Sequence, residues 1–365
     1  MQGFNYSRLD LARRRRGLSK GGLAAAASIS PRALTGYERN EYEPDALTMV
    51  RLATAVGFPQ EFFYGVDLDE PSPEGASFRS MSRTPARIRA QALASGALAF
   101  ALADWIDRHF ALPIPDVPEL PTLDPETAAM AVRDAWGLGE RRIPNMVHLL
   151  ESHGVRVFSL AEESLKVDAF SQWRGAVPYV FLNTKKTAEH SRMDAAHELG
   201  HLVLHSHGGP RGREAEHEAY RFGSAFLMPR GSVLAYAPHG ASFQQLVRAK
   251  YRWSVSVANL AYRMNQLKML SDWQYRSVFI ELNRRGREKE PTAPGKEPLR
   301  QETSQVLEKV FRALRDDQIT KAAIARELNI PLADLNKTVF GLVLTPLEGD
   351  GYTTGPVERP ALHLV

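Results

Sequence analysis

The sequence predicts a mainly α-helical protein with a small mixed β-sheet, an α+β chain in several folded parts. Three observations predict it. Apolar residues recur at helical spacing through most of the chain. Strand-like runs are confined to three short stretches just ahead of a long helical one: 155–158, which alternates, and 171–174 and 177–182, joined through Gly175. Polar, proline-rich segments at 67–85, 113–125 and 287–299 interrupt the pattern. They divide the chain into a compact helical unit at 1–66, a linker, long helix and Pro-rich connector at 67–125, a central domain at 126–286, and a helical module at 300–346.

Composition narrows the classes. The 365 residues are 44% hydrophobic and 24% charged, ordinary for a globular protein with real cores. There is no cysteine, so disulfides and thiolate ligands are excluded and any metal must rest on His, Asp or Glu. That usage fits a cytoplasmic protein. The opening MQGFNYSRLD lacks a charged head followed by an apolar run, so no signal peptide is expected. The apolar stretch Ala90 to Ala103 is interrupted by Gln91 and Ser95 and is too short for a membrane span. A formal charge of +4 hints only weakly at an anionic partner.

The head reads as short helices joined by tight turns. The first carries Leu9, Leu11 and Ala12 and ends in Arg13 to Arg16 before Gly17. A second spans Ser19 to Ala26. Ser30 caps a third, with Pro31 at its first position, where a missing N–H costs nothing. A fourth runs from Ala46 to Val56 and stops at Gly57. This is a helix-turn-helix arrangement, whose second helix enters the DNA major groove. Here that helix is Pro31 to Arg39. Arg32, Thr35 and Arg39 are its expected DNA-facing residues, and Lys20 with the arginine run is expected against phosphates. The wording from Gly17 to Phe58 resembles the Cro/C1-type (XRE) helix-turn-helix family, through Leu18, Leu23, Ala24, Ile29, Leu34, Tyr37-Glu38 and Pro44. Lys20, Gly21 and Gly22 depart from its usual Gln and acidic residues, and each glycine weakens a helix by about 1 kcal/mol relative to Ala.

Beyond the linker, residues 86–112 predict one amphipathic helix with Leu93, Leu98, Ala101, Leu102, Trp105 and Ile106 on its apolar side. Prolines 113, 115, 118, 121 and 125 enforce an extended connector, either a rigid spacer or, the preferred reading, a strap across a domain. Two helices, 127–136 and 145–152, and the three strands then lead into the helix carrying His197-Glu198-Leu199-Gly200-His201.

That run is an H-E-x-x-H pattern. Residues four apart stack on one helical face, so His197 and His201 aim two imidazoles at one point, with Glu198 beside a water held there. A catalytic zinc takes three protein ligands and keeps one position open, which H-E-x-x-H answers in part. The domain is therefore expected to be zincin-like, with Glu198 as general base. Several residues compete for the third ligand. His205 lies a further turn along. His207 fits a metzincin spacing but has Leu204 where that turn needs glycine. Glu218 lies on an amphipathic segment with Ala219, Phe222 and Leu227, and Glu214 and Glu216 are its rivals. Asp194 is a candidate partner of the ligands or a helix cap.

KTAEHSRMDAAHELGHLVLH followed by EAEHEAYRFGSAFLMP resembles the ImmA/IrrE family of metallopeptidases, over about residues 125–270. The resemblance implies that the third ligand is the Glu preceding Phe222 and Leu227-Met228-Pro229, that is Glu218. Tyr220 and Gly223 stand where the family often has Asn and Ala. It also implies zinc, with manganese as the alternative metal, and a protein substrate, a repressor of the same helix-turn-helix type. The chain is thus expected to be a DNA-binding regulator fused to an endopeptidase, with no membrane partner and with a homodimer among its assemblies. The competing expectation is a regulator whose peptidase-like domain senses a ligand or partner without cutting. The C-terminal helices, 303–314, 321–328 and 330–341, resemble a second small helix-turn-helix-like module, followed by a poorly ordered tail.

Overall fold

A computed structural model describes residues 3–72, 85–160, 169–205, 212–286 and 290–343. The head consists of α1 (Tyr6–Arg15), α2 (Lys20–Ala26), α3 (Pro31–Glu38) and α4 (Ala46–Val56), then a 3-10 turn at Gln60–Tyr64. Each helix starts where its sequence supplies an acceptor: Asn5, Ser19, Ser30 and Asp45 each accept a backbone N–H of the first turn. Gly57, at φ 63°, closes α4 in the left-handed region. Leu9, Leu23, Leu34, Leu52, Phe62 and Phe63 form the head's share of the core.

The long helix α5 (Ala86–His109) departs from expectation. It is not one-sided: every residue from Ala92 to Ala103 is buried. The cause is its run of small side chains, which lets neighbours close in all round. Its neighbours include α1 and, through Phe100 against Tyr179 at 4.6 Å, the sheet. At Gly96 a methyl would fall 2.4 Å from the Pro71 ring, so the chain after the head crosses α5 there.

The central domain runs α6 (Pro125–Ala135), α7 (Met146–Ser152), β1 (Arg156–Ser159), β2 (Ala169–Arg174), β3 (Val177–Leu182), α8 (Ala188–Leu204) and α9 (Arg213–Leu227). The sheet order is β1-β3-β2, with β1 parallel and β2 antiparallel to β3, and the registers pair Val157 with Val180 and Phe170 with Phe181. One face is aromatic: Phe158, Phe170, Tyr179 and Phe181 meet one another and Phe100 of α5. The other face meets α8, where Ser171 and Trp173 reach Glu198 and the Leu202 carbonyl. The sheet is therefore sandwiched between α5 and α8, as its double burial requires. The Pro-rich connector does lie as a strap, with the Leu120 N–H donating to the Val203 carbonyl of α8 at 2.7 Å.

Four helices follow, α10 (Arg230–Tyr236), α11 (Phe243–Ala249), α12 (Val257–Gln266) and α13 (Asp272–Arg285), then the module α14 (Gln305–Asp316), α15 (Lys321–Glu327) and α16 (Leu332–Thr338). That module is docked rather than tethered. Asp334 of α16 binds Arg15 at 2.9 Å and Arg16 at 2.7 Å, and the Thr184 hydroxyl donates to the Phe340 carbonyl. The buried Glu151 carboxylate accepts from the Ser304 hydroxyl and from the N–H groups of Gln305 and Val306, closing the N-terminus of α14. The stretch read as a linker is engaged where it is described, Glu290 accepting from Lys250, and just beyond it Glu302 pairs with Arg192 and accepts from the N-terminus of α7. The expected disordered tail and residues 73–84 lie outside the described residues.

Candidate metal centre

α8 and α9 run antiparallel in close contact, and glycines set the separation. A methyl on Gly200 would sit 3.0 Å from the Ala219 carbonyl oxygen, and one on Gly223 would sit 3.0 Å from the His197 backbone nitrogen. The far end of α9 is fixed by two buried arginines, Arg133 donating to the Phe226 carbonyl and Arg263 to the Met228 carbonyl. Thr187 caps α8.

On this frame His197 and His201 converge. Their Nε2 atoms lie 3.1 Å apart, and the carboxylate that joins them belongs to Glu216: its Oε2 is 3.3 Å from His197 Nε2 and its Oε1 is 3.5 Å from His201 Nε2. All three are buried, at 9%, 8% and 7% exposure. This carboxylate is not the one expected from sequence. Glu218 is turned away to meet His205, its Oε2 lying 3.0 Å from Nε2 of that ring, and its side chain is 30% exposed. The reason is helical rotation. Residues 216, 219 and 223 share the face that Ala219 and Gly223 press onto α8, whereas 218 lies about 200° away from 216. His207 lies outside the described residues.

The donor set suits a divalent metal. Ligand bonds of about 2.0–2.1 Å at a tetrahedral angle place donor atoms about 3.3 Å apart, and the three separations here are 3.1, 3.3 and 3.5 Å. Charge agrees. Burial and the neighbouring His197 bring His201 down to about 4, against the opposing Glu216, so its imidazole is neutral near pH 7. Burial would raise the Glu216 carboxyl, but both histidines outweigh it and hold it at about 2. For His197, burial is opposed by Glu216, Glu198 and Asp194, and its pKa is raised.

Glu198 is 3% exposed, and the Ser171 hydroxyl of β2 donates to its Oε2 at 2.7 Å. Sequence reasoning missed Ser171, because its role depends on which strand lies over α8. Asp194 pairs with Lys186 at 2.9 Å. Nearby, His205 faces Glu218, and the Tyr220 hydroxyl donates to Asn259 Oδ1 at 2.8 Å.

In the head, Arg32, Thr35 and Arg39 are exposed on α3 and its C-cap, and Lys20 is exposed in an ion pair with Glu38 at 2.6 Å. The arginine run departs from expectation. Arg13 and Arg14 bind Asp10, Arg14 also binds Glu70, and Arg15 and Arg16 bind Asp334. Acidic residues of the chain's own body take the place expected for phosphates. No described helix is long and apolar enough to cross a membrane.

Two family models match the chain. The one described as helix-turn-helix covers residues 9–59, and a peptidase-family model described as the IrrE N-terminal-like domain covers residues 150–265. No curated protein matches. The second match spans β1 to α12 and so contains the whole histidine and glutamate cluster. The chain therefore joins an XRE-type helix-turn-helix domain to a metallopeptidase-like domain of the IrrE/ImmA type.

Proposed function

We propose that the chain is a DNA-binding regulator fused to a zinc-dependent endopeptidase that cleaves a repressor-type protein. The observation that carries this reading is Glu198 on the same helix as two converging histidines, with Glu216 completing three buried donors. His197, His201 and Glu216 would hold the metal. Bound there, zinc supplies Lewis acidity, bringing a water's pKa to about 7 and polarising a carbonyl. The chain's own groups do the rest. Glu198, oriented by Ser171, takes a proton from the attacking water and delivers it to the leaving amine. The edge strand β2 lies against α8 and offers its backbone to an extended substrate, a common mode of peptide recognition. In this reading Arg32, Thr35, Arg39 and Lys20 are the DNA-facing set of the head, and the protein acts in the cytoplasm beside its operator. Manganese suits the same nitrogen and oxygen donors.

The test compares the parent with Glu198→Gln, both loaded with zinc or manganese, on purified helix-turn-helix repressors. Cleavage by the parent that is lost in the variant is expected. No cleavage by either would overturn the peptidase reading and favour a domain that senses a ligand or partner. The burial of all four groups is the observation that favours this second reading.

A further inference from the structure

Behind His201 the chain builds a second polar line that the proposed chemistry does not use. His201 turns Nε2 toward His197 and Glu216, and its other nitrogen, Nδ1, lies 3.0 Å from Nδ1 of His205. His205 in turn sets Nε2 3.0 Å from Oε2 of Glu218. We propose that His205 and Glu218 are positioning residues that fix the tautomer and ring orientation of His201. This rests on His201 being a metal ligand, as proposed above.

Proton placement leaves one consistent arrangement. Two imidazole nitrogens at hydrogen-bond distance share one proton between them. If the Nε2 lone pair of His201 is given to a metal, its proton must sit on Nδ1. Nδ1 of His205 must then accept, so the proton of His205 is on Nε2. That proton points at the Glu218 carboxylate, an acceptor 3.0 Å away. Glu218 therefore selects the His205 tautomer, which selects the metal-binding tautomer of His201. The opposite assignment would put an N–H of His201 where the metal binds and aim a His205 lone pair at a carboxylate.

Local structure supports the line. His201 and His205 are one turn apart, and the His205 N–H donates to the His201 carbonyl at 2.9 Å, ending α8. Glu218 comes from α9, so the line also ties the end of α8 to the neighbouring helix. Glu218, the ligand expected from sequence, thus acts on the metal through two histidines, His205 and His201.

The test is Co2+ binding to the full chain, by chelator competition and visible absorption, with His205→Phe, Glu218→Leu and Glu218→Gln. Partners behind a ligating histidine are worth about 10–100-fold in metal affinity. His205→Phe and Glu218→Leu should weaken Co2+ by that factor, while the metal-free variants melt with the parent and the saturated ones keep its absorption band. In Glu218→Gln the amide oxygen still accepts from His205, so the loss should stay below about fivefold. Parent-like affinity in both His205→Phe and Glu218→Leu would overturn the relay. So would a changed band in Glu218→Gln, which makes Glu218 itself a ligand, or two Co2+ per chain. A parent that binds no Co2+ overturns the metal site and the relay together. Normal binding without proteolysis overturns only the peptidase reading.

Discussion

Glu216 and Glu218 stand two residues apart on α9 and do different work, one beside the histidine pair and one behind it. Replacing Glu216 by Gln should lower Zn2+ affinity by at least the roughly 10–100-fold typical of outer partners, since a charged donor is lost; equilibrium dialysis would measure it. Ser171→Ala should act on Glu198 alone. A hydrogen bond to a charged group contributes about 1.5–3 kcal/mol, so kcat/KM should fall about 10–100-fold with zinc content unchanged. His197, Glu198 and His201 were legible in the sequence because their spacing alone puts them on one helix. The third donor was not. The choice between Glu216 and Glu218 depends on how α9 is rotated against α8, which Gly200, Ala219 and Gly223 decide across the interface. Ser171 was illegible for a similar reason, strand order being a long-range property.

At the scale of elements, the α8–α9 contact is the joint on which the site depends. Gly200→Ala would gain about 1 kcal/mol of helix propensity. Its methyl would also press on the Ala219 backbone at 3.0 and 3.1 Å, which cannot swing aside like a side chain. Overpacking of this kind costs about 1–3 kcal/mol, so the variant should be net less stable in denaturant unfolding, with weaker metal binding as the helices part. The Ser30 cap of α3, the Gly57 stop of α4 and the strand runs could be read from sequence because they depend on near neighbours. The burial of α5 could not, since its small residues show what can approach but not what does.

Across the whole molecule, the C-terminal module clasps the head and the central domain. Asp334 and Arg15 are 2% and 3% exposed, and breaking a buried ion pair from one side costs about 3–5 kcal/mol. Asp334→Ala should therefore loosen α14 to α16, seen as faster limited proteolysis there. Glu151 makes the docking pH-sensitive. Burial pushes its carboxyl from 4.5 up to about 7, against the Ser304, Val306 and Gln305 donors. A pKa raised on folding means the folded form holds the proton more tightly. The stabilisation is full below about pH 4.5 and is lost as pH rises through about 7. Thermal unfolding between about pH 5 and 8 should show the parent losing stability, and Glu151→Gln should flatten that slope.

Anomalous scattering from a zinc-soaked crystal would show whether a single metal binds where α8 meets α9. A single peak is expected about 2.0–2.2 Å from His197 Nε2, His201 Nε2 and a carboxylate oxygen of Glu216, with Glu218 still on His205. A peak bonded to Glu218 in place of Glu216, or no peak between the two histidines, would contradict it.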